Sequence, residues 1–270
     1  MATIAKTKQP VRMPRFGHRV DKTDPILRGC VGWWPLNDGA GTKATDLSTG
    51  GNDGTQSGGV SWASTEKGTA ASFDGTDDYI DIVGAPADTI TQPLTLSAWV
   101  YNDAGGSGTN DLVALGDTTS VNPLGIIRFT YSSGQVSAVF RAGSTASIIS
   151  HTLSNPTGNW NHICVVATSS TSLELFVDGV SVASDTSTNY GTLSYDNLTI
   201  GALQRTTLLN YSDGGVQNVR AYDRALSATE VSRLYNEPWA GLEPLSPFSF
   251  FSGLSQIYAY YSAAFLQRLG

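Results

Sequence analysis

Two carboxyl groups held about 5–9.5 Å apart would mark a glycoside hydrolase, so the acidic residues come first. The chain has five Glu: Glu66, Glu174, Glu230, Glu237 and Glu243. Glu174 with Asp178 is the nearest imitation of a pair. Four strand residues separate these two by roughly 13 Å, and Asp178 stands directly before Gly179, where it suits a turn. Asp77 and Asp81 fail on the same distance if their stretch is extended. His18, His151 and His162 lie far apart in sequence. His162 follows Trp160 at a strand start and reads as a structural histidine. No nucleophile elbow, phosphate-cradling loop or zinc-spaced His/Cys set is present. Cys30 and Cys164 sit alone in apolar, strand-like surroundings and read as buried free thiols. These residues point away from an enzyme.

Oxygen-rich loops are the chemistry that remains. Hard cations are held by carboxylates, side-chain oxygens and backbone carbonyls. Asp46, Ser48, Asn52 and Asp53 form one such cluster, and Asp74, Asp77 and Asp78 another. Calcium is the cofactor expected if any is bound. The competing role for each residue is a turn former bonded to its own backbone. A glycan site would need an exposed aromatic beside polar loop groups. Trp62, Tyr101, Tyr131, Tyr190, Tyr195 and Tyr211 are candidates, with packing within a sheet as the alternative for each.

The elements that must position these residues are strands. In Leu94-Thr-Leu-Ser-Ala-Trp-Val-Tyr101, Leu94, Leu96, Ala98 and Val100 alternate on one face, opposite Thr95, Ser97, Trp99 and Tyr101. Asp178-Gly179 separates Leu173–Val177 from Val180–Ala183, a hairpin signal, because a type I′ turn needs positive φ at both central residues. Turn signals recur along the body at sandwich spacing, with no βαβ rhythm. One short helix is expected near 227–236. Ser227 and Glu230 form a capping box, Val231, Leu234 and Tyr235 follow at helical spacing, and Pro238 ends it. The fold class is therefore all-β, a two-sheet antiparallel sandwich with one short helix and extended tails. Three parts are expected: a basic arm over 1–28, the sandwich over 29–237, and an aromatic tail over 238–270.

Seven stretches occur in order along the body. They are Gly32-Trp-Trp-Pro-Leu-Asn-Asp-Gly-Ala-Gly-Thr42, Asp46-Leu-Ser48 with Asn52-Asp-Gly54, and Phe73-Asp-Gly-Thr-Asp-Asp-Tyr-Ile-Asp-Ile82. Next come Leu94-Thr-Leu-Ser-Ala-Trp-Val100, Trp160-Asn-His-Ile163 and Leu175-Phe-Val-Asp-Gly179. The last is Val219-Arg-Ala-Tyr-Asp-Arg-Ala-Leu-Ser-Ala-Thr-Glu-Val231. In this set the chain resembles the bacterial and bacteriophage branch of the laminin-G-like, concanavalin-A-like jelly-roll family. The resemblance implies a jelly roll and, in many relatives, one bound calcium. It also implies an acidic pair just before the Val-Arg-x-Tyr strand, but Gln217 and Asn218 stand there, which would weaken a cation site at that place. Glucanases of the superfamily carry two Glu on one strand with an Asp between, and this chain has no such motif.

Charge is uneven. Lys6, Lys8, Arg12, Arg15, Arg19, Lys22 and Arg28 face only Asp21 and Asp24 in residues 1–28, a net of +5 in a chain whose total is −7. A basic arm on an acidic body suits docking on an acidic partner. The acidic body, and an arm with only Phe16 among its cations, argue against nucleic acid. Leu254, Ile257, Tyr258, Tyr261, Phe265 and Leu269 recur at helical spacing in the tail, with a helix expected from 255. That helix would be about 22 Å long, too short to span a bilayer, so its apolar face must be buried against protein. No export signal or membrane span is seen. The expected function is a non-enzymatic virion structural, decoration or fibre protein of a bacteriophage, made in the host cytoplasm. Its tails would grip other virion proteins or further copies of the chain as a homo-oligomer, and its sandwich would meet host-surface glycans. The alternative is a secreted or cell-surface bacterial carbohydrate-binding or adhesion module, and a polysaccharide hydrolase ranks third.

Overall fold

The computed structural model describes residues 18–65, 68–84 and 91–244. The chain opens with β1 (His18–Val20), one turn of 3-10 helix at Pro25–Leu27, and β2 (Cys30–Trp34). Short strands follow: β3 (Lys43–Ala44), β4 (Gly54–Ser57), β5 (Ser61–Thr65), β6 (Gly68–Asp74) and β7 (Tyr79–Val83). The long ones are β8 (Leu94–Asn102), β9 (Thr109–Asp117), β10 (Ser120–Thr130), β11 (Gln135–Arg141), β12 (Ala146–Thr152) and β13 (Trp160–Ser169). Then come β14 (Ser172–Val177), β15 (Val180–Asp185), β16 (Asn197–Ile200), β17 (Leu203–Gln204), β18 (Leu208–Leu209) and β19 (Asp213–Tyr222). The helix α1 (Ala228–Asn236) and β20 (Leu242–Pro244) end the described chain.

Most strands form two large antiparallel sheets, as expected for a sandwich, and β1–β20 and β17–β18 form separate two-stranded pairs. One runs β15-β14-β13-β8-β19-β6-β5, with β2 also paired to β19. The other runs β12-β11-β10-β9-β16-β7-β4-β3. Alternation decides what lies between them. Leu94, Leu96, Ala98 and Val100 of β8 point inward and meet Ile127 and Phe129 of β10 and Ile80 and Ile82 of β7 in one buried cluster. The Asp178-Gly179 turn has φ of 50° and 79°, the positive values a type I′ turn requires. The helix is present with both halves of its capping box, Glu230 N–H donating to Ser227 Oγ and Ser227 N–H to Glu230 Oε2.

Among the described residues, the outer faces of the two sheets differ. The first sheet is covered. Trp33, Val166, Phe176 and Tyr222 on its outer side pack against Ile26, Val231, Leu234 and Trp239 in a second buried cluster. Residues 18–28 of the stretch expected to be an extended basic arm are thus built into the body, because Ile26 and its neighbours supply apolar cover. Residues 238–244 of the expected tail are built in as well. The two ends meet, with β1 paired to β20 and Arg233 of α1 on both carboxylate oxygens of Asp24 at 2.6 and 2.7 Å. Among the described residues, the second sheet carries the small β17–β18 hairpin, whose Leu203 packs on Ala114, Leu124, Ile126 and Val139. Gly116 of β9 permits that approach, since a Cβ there would lie 2.0 Å from the Gln204 carbonyl oxygen. The tail positions Leu254, Ile257, Tyr258, Tyr261, Phe265 and Leu269 lie outside the described residues.

Candidate functional site

The β6–β7 turn gathers the second group of carboxylates. Asp74 ends β6, Gly75 turns with φ of 76°, and Asp78 precedes Tyr79 at the start of β7. Thr76 N–H donates to Asp74 Oδ1 at 2.8 Å and Asp74 N–H to Asp78 Oδ2 at 3.1 Å. Gly59 N–H donates to the other oxygen of Asp78. The turn therefore exists because short acidic side chains bond its backbone. It also brings one oxygen each of Asp74, Asp77 and Asp78 within 4.8 Å of one another, with Asp74 and Asp77 exposed and Asp78 buried. Asp74 pairs in register with Asp213 of β19. Burial first, then the charges of Asp103 and Asp74, raise the Asp213 carboxyl above its ordinary range.

The first group behaves differently. Asp46 is buried, and its carboxylate accepts from Trp33 N–H, Ser48 N–H, Ser48 Oγ and Asn52 N–H, each at 2.8 Å. Asp53 accepts from Asp46 N–H at 2.9 Å and pairs with Lys43 at 2.5 Å. Ser48 Oγ and Asn52 Nδ2 both reach Val31 O. In this loop Asp46 is a hub for backbone donors, and its acceptor capacity is largely spent on the fold.

Beside the β6–β7 turn stand two half-buried tyrosines. Tyr79 faces outward because Ile80 and Ile82, its neighbours in alternation, face the core. Tyr211 comes from the segment entering β19, and the two ring centroids lie 6.4 Å apart at 49°. Burial, Tyr79 and the charge of Asp77 raise the Tyr211 hydroxyl above its usual range. Of the six aromatics singled out in the sequence, Tyr190 and Tyr195 are buried in the core. Tyr101 packs on Trp160 at 5.6 Å and Tyr131 meets Phe129 edge-on at 4.9 Å. Trp62 packs against the core. Tyr211 sits beside the clustered carboxylates, close enough for the charge of Asp77 to act on it, and Tyr131 Oη donates to the backbone oxygen of Asp213 at 2.8 Å. Tyr79 was not among the six, although the outward phase of β7 could have identified it.

The remaining candidates have structural posts. Glu174 accepts from Ser181 across its hairpin, and Asp178 accepts from His162 N–H at 2.8 Å. Asp81 accepts from Asn197 Nδ2 at 2.6 Å, and burial raises its carboxyl. His162 is buried with Nε2 2.8 Å from Ser97 Oγ, and burial pushes it down to about 3. Gln217 donates to Thr69 O at 2.5 Å, and Asn218 Oδ1 accepts from Trp33 Nε1 at 2.7 Å. Cys30 and Cys164 are buried free thiols. Among the described residues, no helix is long and apolar enough to cross a membrane.

Several solved structures share this fold. Trypanosoma rangeli sialidase, solved with sialic acid, superposes with a TM-score of 0.59 at 17% identity, covering 79% of this chain and 34% of the sialidase. The receptor binding domain of botulinum neurotoxin C/D mosaic serotype gives 0.59 at 10% identity, over 78% of this chain and 51% of that domain. Domain 4 of AbnA, an extracellular arabinanase from Geobacillus stearothermophilus solved with arabinotriose, gives 0.59 at 16% identity, over 76% of this chain and 98% of that domain. This chain thus spans about a third of the sialidase and half of the toxin domain. At such identities the likeness concerns the fold. No curated protein sequence matches the chain significantly. A family model does match, over residues 74–232, from the carboxylate turn through most of α1. The chain belongs to the concanavalin A-like lectin/glucanases superfamily.

Proposed function

We propose that this protein is a non-enzymatic glycan-binding module, displayed on a bacteriophage particle and turned toward host-surface sugars. The observation that carries the binding reading is the Tyr79–Tyr211 pair beside the Asp74, Asp77 and Asp78 turn. Aromatic faces take the apolar side of a sugar ring, and neighbouring oxygens order its hydroxyls. Structural relatives solved with sialic acid and arabinotriose support the same class of ligand. Lack of catalysis is part of the proposal. It is supported by the engagement of Glu174 and Asp178 in the hydrogen bonds of their own hairpin and strand neighbours.

The three carboxylates suit calcium in chemistry, since they are hard oxygen donors on one turn and two of them face solvent. Asp74, Asp77 and Asp78 would hold the ion, which would supply coordination sites for sugar hydroxyls. Binding of the ion to the folded state alone would raise the melting temperature by mass action. The expected outcome is a calcium-dependent rise in Tm that Asp77→Asn reduces, and an unchanged Tm with excess calcium would count against the ion.

Display on a particle is supported by the basic residues of 1–17 and the apolar periodicity of 254–269, which suit anchoring to other virion proteins or to further copies. A secreted carbohydrate-binding module is the second reading, favoured by the near-complete overlap with one domain of an extracellular arabinanase. A glycan array with wild type and Tyr211→Ala tests binding. Saturable binding that the variant loses is expected, and equal binding by both would refute the site. Mass spectrometry of purified particles separates display from secretion.

A further inference from the structure

The second sheet carries a further feature at the other end of its strand order from β7, although the β17–β18 wall of that feature runs on to Tyr211 two residues later. Between the β17–β18 hairpin and strands β10–β12, the last of them at the sheet edge, lies a cleft of about 240 Å³. Leu124, Val139 and Ile148 form its apolar floor, the last of them 62% exposed. Arg128, Arg141 and Arg205 stand around it.

These three guanidiniums are unequally satisfied. Arg128 makes a two-pronged ion pair with buried Asp111, at 2.6 and 3.0 Å. Arg141 and Arg205 have no carboxylate partner among the described residues. Instead both donate to one backbone oxygen, Val121 O, at 2.8 and 3.0 Å. The Nε of each is buried without a hydrogen-bond partner. Buried donors are ordinarily satisfied, so both guanidiniums are less fully bonded within the protein than Arg128 is. Burial and the neighbouring Arg141 also lower the Arg205 guanidinium from its ordinary value. Three cations against one carboxylate leave an excess of positive charge in a chain whose net charge is −7.

The geometry points to a binding site for an anionic sugar residue in this cleft, its carboxylate or sulfate ester held by Arg141 and Arg205. Guanidinium forks match planar and tetrahedral oxyanions and bind them with charge-assisted hydrogen bonds. The apolar floor takes the C–H face of the ring, and the volume suits one sugar unit. Arg128 is a positioning residue, fixed by Asp111, that adds charge. The sugar assignment rests on the glycan-binding reading, whereas the oxyanion assignment stands on the arginines alone.

The test is calorimetric titration of the full chain with an oligogalacturonate, a heparin-derived oligosaccharide, a neutral cello-oligosaccharide and poly-glutamate. Wild type is compared with Arg205→Gln, Arg141→Gln, Arg205→Lys and Tyr211→Ala, each checked for folding by circular dichroism. The expected result is binding of one acidic oligosaccharide that weakens with salt. Each Gln variant should lose about tenfold to a hundredfold in affinity, the worth of a charge-assisted hydrogen bond. Arg205→Lys should lose less, and Tyr211→Ala should change nothing. The carboxylated and sulfated arms identify the anion. Acidic-sugar binding unchanged in both Gln variants, or poly-glutamate binding as tightly, overturns the proposal. Neutral-sugar binding lost in Tyr211→Ala, with no acidic-sugar binding, also overturns it while leaving the tyrosine site standing. Acidic-sugar binding lost only in the arginine variants supports it, and the neutral-sugar arm with Tyr211→Ala reads the tyrosine site separately.

Discussion

His162 and Arg220 show how single residues are bound to their surroundings. His162 is a buried neutral imidazole with a pKa pushed down to about 3 by burial. In the unfolded chain it takes up a proton near pH 6.5. Between those values the unfolded state binds more protons, so stability falls as pH drops from about 6.5 toward 3. His162→Gln should lower stability overall yet flatten the decline of Tm over that window, and parallel Tm–pH curves for variant and wild type would refute the account. Arg220 lies buried over the Trp33 ring, 3.9 Å from its centroid. Its Nη2 donates to Pro238 O at 2.9 Å and Ala240 O at 2.8 Å. Arg220→Met keeps much of the bulk but leaves two carbonyls without this donor. It should cost about 2–3 kcal/mol in urea unfolding, the scale of hydrogen bonds to a charged group.

Helix α1 owes its start to two residues and its position to others. Ser227 and Glu230 complete the capping box, and Arg224 pairs with Glu230 at 2.6 Å. That pairing holds the Glu230 carboxyl down at about 2. A depressed carboxyl stabilises the fold above its unfolded value, near 4.3, and the contribution fades as pH falls toward 2. Ser227→Ala should cost about 1 kcal/mol at neutral pH. Glu230→Gln should destabilise at pH 7 and much less at pH 2.5, read by urea titration at both pH values. The helix is amphipathic, but its length of nine residues would not sustain it alone. Val231 and Leu234 dock it on the covered sheet, and Arg233 ties it to Asp24.

At the scale of the whole molecule, the described residues seal one face of the sandwich with the chain's own segments. The seal uses residues 18–28, α1 and 238–244, joined where β1 meets β20. The described residues thereby bury two apolar clusters, one between the sheets and one over the first sheet. If the segment 245–270 serves assembly, a chain ending at residue 244 should melt close to the full chain but lose mass in sedimentation or fail to enter particles. An unchanged assembly state would argue against the segment as an anchor.

Much of the fold was legible in the residues themselves. Period-two alternation in Leu94–Tyr101, the Asp178-Gly179 turn and the Ser227–Glu230 box are local signals, and local physics decided them. Clustering of Asp74, Asp77 and Asp78 was legible for the same reason, since five consecutive residues must share a turn. What tertiary structure alone decided depends on distance along the chain. Asp46 became a structural hub because Trp33 N–H arrives from a strand thirteen residues away. Tyr211 meets Tyr79, and Arg205 meets Arg141, only after the sheet pairs β16 with β7 and β9 and folds the hairpin back over Gly116. Alternation says which side of a strand a residue takes, but it carries no record of which strands become neighbours. That choice is made by burial of the whole core, and with it which distant side chains come together at the surface.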